Sequence, residues 1–146
     1  MRIRYHEYDD FGNILSVSKE NGPRTCYVWS YGGRYPIAKV ENATYSAVHS
    51  QLGGAINIRN FRNNLNPTNA SIISFLAPLR SNLPNSSVTT YTYKPLVGVT
   101  SIIDPQNRVS TYEYDTLQRL STIKDHQGNI VKQFCYNYYA NYFQPC

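Results

Sequence analysis

Few residues in this chain have the chemistry of a reaction centre, and their spacing decides between the options. His6, His49 and His126, together with Cys26, could compose a Cys/His nucleophile. No oxyanion or base-orienting pattern accompanies them, His6 and His126 lie in or beside a recurring phrase, and His49 lies on a predicted helix, so catalysis is not expected. Asp115 and Asp125 have the residue type of a glycosidase carboxylate pair. Asp9 and Asp104 recur in register with them, however, and an active site is not normally copied once per unit. Calcium would want several carboxylates clustered in one short loop, a pattern the sequence lacks. The cysteines (Cys26, Cys135 and Cys146) are odd in number and include no C-x-x-C pair, which argues against a disulfide framework or a zinc site. A Cys135–Cys146 bridge stays open for an exported chain. No cofactor and no metal are expected. Asn42-Ala43-Thr44, Asn69-Ala70-Ser71 and Asn85-Ser86-Ser87 fit the glycosylation sequon, which matters only in a eukaryotic secretory pathway.

The phrase that absorbs these residues is the dominant signal. Tyr112-Glu113-Tyr114-Asp115 is followed by Arg119-Leu120, Asp125 and Gly128-Asn129. Upstream, Tyr91-Thr92-Tyr93 leads to Val99, Asp104 and Asn107-Arg108, and near the start His6-Glu7-Tyr8-Asp9 leads to Asn13-Ile14. Tyr93 to Tyr114 and Asp104 to Asp125 are both 21 residues apart. A fixed period of that size marks a repeat whose units bury their faces on one another. The 14 tyrosines, against a single tryptophan, suit a half-buried pleated surface, where the ring packs and the hydroxyl stays wet.

The elements needed to position the phrase are strands and turns. Alternation predicts strands over 2–9, 14–17, 25–31, 35–40, 88–93, 99–103, 110–114, 120–124 and 130–138. Asn21-Gly22 and Gly128-Asn129 supply turns, and Pro36 points to an edge or a strand start. Between 43 and 87 the apolar spacing changes to three and four, which predicts two helices. Asn69 is read as the cap of the second, and Pro78 as its kink or end. The expected fold is therefore mainly β, with antiparallel β-hairpin repeats and a two-helix insert. Its organisation is repeat strands over 1–42, the helical insert over 43–87, and two repeats plus a C-terminal tail over 88–146. Net charge is +5, and no acidic residue lies between Glu41 and Asp104, where Arg59, Arg62, Arg80 and Lys94 are the formal charges. Four bases make a thin patch, so nucleic acid is not the expected partner. No apolar run reaches the length of a membrane span, and no signal peptide is read.

The unit Tyr112-x-Tyr114-Asp115-x-x-x-Arg119-Leu120-x-x-x-x-Asp125-x-x-Gly128-Asn129 resembles the YD repeat of RHS-type proteins. It departs at Gln118, where the family usually has Gly. Lys94 stands where Asp is expected in the 91–111 unit. In the 6–29 unit, His6 replaces the first Tyr and Lys19 the second Asp. The segments 31–45 and 89–104 are also similar to large RHS-family surface proteins of Bacteroidetes-like bacteria. The resemblance implies β-hairpins added edge to edge into a spiralling sheet, which in large members closes as a shell around a toxic C-terminal domain. Other members sit on the cell surface, with carbohydrate binding ascribed to the repeat. The family's self-cleaving core segment has no counterpart here.

Two functions are weighed on this basis. In the first, the chain is a structural segment of an RHS-type shell or of a secreted or cell-surface protein, part of a longer exported chain, with no catalysis of its own. Its partners would be further YD repeats or other copies of itself, and Tyr8, Asp9, Tyr91, Tyr93, Asp104, Tyr112, Tyr114, Asp115, Arg119, Leu120, Asp125, Gly128 and Asn129 would have mechanical roles. In the second, an exposed tyrosine face with Trp29, Tyr112, Tyr114, Arg108 and Arg119 binds a carbohydrate or a protein partner.

Overall fold

The computed structural model describes residues 2–136, which fall into two compact units, 1–92 and a second beginning at Tyr93. In the first unit five strands follow one another as antiparallel neighbours: β1 (Ile3–Tyr8), β2 (Ile14–Lys19), β3 (Arg24–Ser30), β4 (Tyr35–Glu41) and β5 (Ser87–Lys94), the last running on into the second unit. The pairing register stacks residues of one parity into rows. Ser16, Cys26, Val40 and Val88 are successive partners across β2–β5, and Val28, Ala38 and Thr90 form the next row. All seven are buried. Side chains alternate along a strand, so the opposite parity (Val17, Thr25, Tyr27, Lys39, Thr89) lies on the other face and is only half-buried. Pro36 stands near the start of β4, an internal strand, opposite Trp29 and beside a register shift at Val28/Trp29. A missing N–H is tolerated there.

Three helices connect β4 to β5: α1 (Tyr45–Gln51), α2 (Gly54–Asn63) and α3 (Asn69–Asn82). The sequence periodicity reads the first two as one helix. Leu52 and Gly53 separate them, and Gly53 and the first residue of α2, Gly54, are both left-handed at φ 81° and 86°, where a side chain would be strained. The cap of α3 is Thr68, whose hydroxyl accepts from Ser71 N at 3.1 Å, and Asn69 is the first helical residue. Pro78 does not end α3, which continues to Asn82. Val48, Leu52, Ile72, Leu76 and Leu79 from the helices are buried with Val28, Val40 and Val88 of the sheet. Each such side chain contributes roughly 1.5–3 kcal/mol, so this helix–sheet layer is the main store of stability in the unit.

The second unit is a meander of β6 (Gly98–Ile103), β7 (Val109–Tyr114), β8 (Leu120–Lys124) and β9 (Ile130–Gln133), each antiparallel to the next. No helix occurs among its described residues. Side chains of β7 and β8 are half-buried at every position, on both faces alike, and Ile103 is the unit's one buried apolar side chain among the described residues. The last strand ends at Gln133, before the predicted Tyr138. Beyond it Phe134 N still donates to Ser121 O at 2.8 Å. The predicted tail lies outside the described residues.

Candidate functional site

Four hairpin turns are built to one plan. In each, an aspartate accepts two backbone N–H groups on its Oδ1, from the residues two and four positions on. Asp9 takes Phe11 N and Asn13 N, at 2.9 and 2.8 Å. Asp104 takes Gln106 N and Arg108 N, Asp115 takes Leu117 N and Arg119 N, and Asp125 takes Gln127 N and Asn129 N, all at 2.9 Å. The Oδ2 of the same carboxylate takes the side chain four positions on. The donors are Asn13 Nδ2 (3.1 Å), Arg108 Nε (2.7 Å), Arg119 Nε (2.7 Å) and Asn129 Nδ2 (3.2 Å). The residue three positions on is always left-handed: Gly12 at φ 81°, Asn107 at 62°, Gln118 at 64° and Gly128 at 84°. Its N–H donates to the aspartate carbonyl, and the aspartate N–H donates to the carbonyl four residues on. The carboxylate thus satisfies donors that a tight reversal would leave to solvent. It also explains the departure at Gln118: the position needs positive φ, which Gly adopts without strain and Gln does not.

These bonds fix the charge state of the turns. Backbone and side-chain donation from Arg119 holds the Asp115 carboxyl below the ordinary range, and the Asn129 side chain does most to lower Asp125. At Asp104 partial burial pushes the carboxyl up, but the backbone and side-chain bonds from Arg108 together outweigh it and the net shift is downward. Asp115 and Asp125 close opposite ends of β8, a strand of five residues. At about 3.3 Å per residue they stand on the order of 16 Å apart, too far for the roughly 5–10 Å of paired glycosidase carboxylates.

Residues 97–130, which contain the last three of these turns, match the family model of the RHS Repeat. This segment is similar to an RHS repeat. No curated protein matches it.

The remaining repeat positions are engaged within the strands and their neighbours. Tyr114 donates its hydroxyl to Val99 O at 2.8 Å, and its ring lies against Gly98, where a Cβ would come within 3.0 Å of Cζ. Tyr112 faces Ile123 across β7–β8, and Leu120 pairs with Tyr114. Tyr8 stacks on Tyr5 with ring centroids 6.3 Å apart. Tyr91 and Tyr93 are half-buried on β5, and burial raises the Tyr91 hydroxyl. Of the candidate ligand face, Trp29 belongs to the first unit, and Tyr112, Tyr114, Arg108 and Arg119 to the second. Trp29 Nε1 donates to Ile14 O at 2.8 Å, and Arg119 spans Asp115 and the Tyr136 ring, 4.2 Å from its centroid. Arg108, bound to Asp104, keeps most of its side chain in solvent.

The candidate nucleophile set is not assembled. Cys26 is fully buried, its thiol donates to Ala43 O at 3.2 Å, and burial pushes it up to about 11. His6 shares a 2.9 Å hydrogen bond with Ser18 Oγ, while His126 Nδ1 accepts from Val109 N at 3.2 Å. Among the described residues no group of three or more His, Cys, Asp or Glu could hold a metal ion. The described part of the basic patch is also partly spent. Arg80 donates to Thr90 Oγ1 at 3.1 Å, and Arg62 is buried in an ion cluster.

That cluster is the feature the sequence reading missed. Arg62 Nη1 reaches Asp9 Oδ2 at 3.2 Å and Asp10 Oδ1, Nη2 reaches Asp10 Oδ2 at 3.3 Å, and the guanidinium covers the Phe11 ring at 4.1 Å. The bond from Arg62 holds the Asp10 carboxyl low. Gly32 N donates to Arg62 O and Asn64 O, and Ser30 Oγ to Phe61 O, so α2 is tied by its C-terminal end to the first hairpin turn and to the end of β3. Beside the cluster lies a cavity of about 270 Å³. Sheet, turn and helix residues line it, among them Leu15, Val28, Trp29, Val48 and Ile58, with Tyr45, His49 and Arg59 as polar groups. The signal available in sequence was the pairing of an adjacent acid pair, Asp9-Asp10, with a basic segment that has no acids of its own.

Proposed function

We propose that this chain is a scaffold segment of an RHS-type shell or cell-surface protein and carries no catalytic activity of its own. The observation that carries the reading is the turn plan: four of the hairpins close with their own carboxylate and their own left-handed residue. A hairpin closed this way needs nothing from a ligand, and it leaves its strand edges for the next hairpin. Asp9, Asp104, Asp115 and Asp125 are spent on turns, Cys26 on packing and Arg62 on the latch of the helical insert. In this reading the partners are further YD repeats of a longer exported chain, or other copies of this one. No helix among the described residues is long and apolar enough to cross a membrane.

The test joins sedimentation to hydrogen exchange. β1 and β9 are predominantly exposed, with Ile3, Tyr5, Ile130 and Val131 each at least half accessible. Tiling predicts concentration-dependent association, with the amides of β1 and β9 gaining protection as it proceeds. A monodisperse monomer at high concentration, with those amides already as protected as those of β3 and β4, would count decisively against it.

A second reading, a carbohydrate- or partner-binding module, has one observation in its favour. On the face of the first sheet that the helices do not cover, Ile3, Tyr5, Val17, Tyr27, Trp29 and Pro36 line a shallow groove of about 410 Å³. Aromatic platforms of this kind bind sugars, and silence on a glycan array removes this alternative.

A further inference from the structure

We propose that Asn21 is a site of self-modification, converting to aspartate and isoaspartate as the β2–β3 turn opens. Asn21-Gly22 is the one Asn-Gly pair in the chain. Gly22 has no Cβ to shield its backbone nitrogen, which leaves that nitrogen well placed to attack the side chain before it. In the reaction Gly22 N bonds to Asn21 Cγ, its proton leaves with the side-chain amide as ammonia, and a succinimide ring closes. Water then opens the ring. Attack at Cγ restores the ordinary main chain with an aspartate side chain. Attack at the main-chain carbonyl leaves Gly22 N on Cγ, and a methylene enters the backbone.

This turn lacks the clamp that holds those at Asp9, Asp104, Asp115 and Asp125. Lys19 stands where they have aspartate, and the residue four positions on is Pro23, which has no N–H to give a carboxylate. The left-handed residue is displaced as well. It is Asn21, at φ 59°, two positions after Lys19, whereas Gly12, Asn107, Gln118 and Gly128 lie three positions after their aspartates. Asn13 and Asn129 spend their side-chain amides on those aspartates, at 3.1 and 3.2 Å. Asn21 is exposed, and its amide meets no partner among the described residues. The attacking nitrogen is restrained by its bond to Lys19 O, at 3.0 Å. Conversion therefore waits on release of that bond, and the mark accumulates with the time the turn spends open. The isoaspartate product no longer fits the same reversal, because its added methylene lies between residues 21 and 22. The ladder beside it runs through Ser18 and Arg24, and Arg24 pairs with Glu7 of β1 at 3.2 Å, so the lesion loosens the edge hairpin.

The experiment incubates the full chain at mildly alkaline pH, folded and in urea, and follows the tryptic peptide that carries Asn21 by tandem mass spectrometry. In the folded chain Asn21 is expected to convert ahead of Asn13 and Asn129, with isoaspartate the larger product, and urea is expected to accelerate it. Asn21→Gln should abolish the signal at that position. Lys19→Asp together with Pro23→Asn gives the turn the acid, glycine and asparagine of residues 125–129 in the same places, and restores the N–H that proline lacks. In the folded chain this double variant should slow conversion at Asn21 roughly tenfold, the effect of one net hydrogen bond on the opening equilibrium, and in urea the two chains should react alike. No conversion at Asn21 in the folded chain while the urea sample reacts overturns the proposal. So does conversion of Asn13 or Asn129 ahead of it, an equal rate in folded chain and urea, or an unslowed double variant with native circular dichroism.

Discussion

Replacing Arg62 with methionine keeps the length of its stem and removes its charge, which isolates the latch between the insert and the first turn. Arg62 is 6% exposed and the Asp9 side chain 8%. Removing one partner of a buried ion pair costs about 3–5 kcal/mol when the other is stranded. Asp9 is not fully stranded, because Phe11 N, Asn13 N and Asn13 Nδ2 still donate to it, so its share falls to about 2–3 kcal/mol. Loss of the guanidinium over Phe11 adds about 0.5–1 kcal/mol. The arm to Asp10 adds little, since that side chain is 59% exposed and water screens it. The expected total is about 3 kcal/mol. With a urea slope of about 1–1.5 kcal/mol/M for a unit of this size, the midpoint followed by Trp29 emission should fall by about 2–3 M. Asp10→Asn should shift the same midpoint only slightly. A loss below about 1 kcal/mol for Arg62→Met, or an equal loss for Asp10→Asn, would refute the claim that the buried arm carries the latch.

Further outcomes follow from the turns and their neighbours. Gly128→Ala should cost about 1 kcal/mol although its Cβ would meet nothing within 4 Å, because the penalty is conformational alone; Gln118→Gly should be neutral or slightly stabilising by the same logic, both read from urea midpoints. The carboxyls of Asp104, Asp115 and Asp125 are lowered by folding, so their stabilisation is complete above the unfolded value near 3.8 and is lost as pH falls through the lower folded values. Urea midpoints should therefore decline below about pH 4, and a variant with all three as asparagine should show a flatter decline from a lower plateau. Gly98→Ala should cost about 1–3 kcal/mol by driving the Tyr114 ring off Val99 O, visible as loss of the Tyr114 hydroxyl's slowed exchange.

The strands were legible in sequence because alternation and turn residues agree locally. Thr25–Tyr31 and Ser110–Tyr114 are read within a residue of β3 and β7. The turn aspartates were legible because they recur. What failed was arbitration among helical signals. Val48, Leu52, Ala55 and Ile56 keep a helical spacing across Gly53-Gly54, and spacing alone does not register that two left-handed residues split the helix. Thr68 and Asn69 are both good caps, and the choice between them depends on which hydroxyl or amide reaches Ser71 N. The cavity and the latch could not be read, since Asp9 and Arg62 are 53 residues apart and no local pattern couples them.

The insert leaves β4 and returns to β5 with Glu41 opposite Ser87, so its two ends sit a strand spacing apart. Closure entropy grows only slowly with loop length, and here the sheet itself holds the ends together. The junction therefore sets where the insert leaves and re-enters the sheet: its connecting loops can lengthen at little cost, whereas its helices cannot be cut away without exposing the face on which Val40 and Val88 are buried.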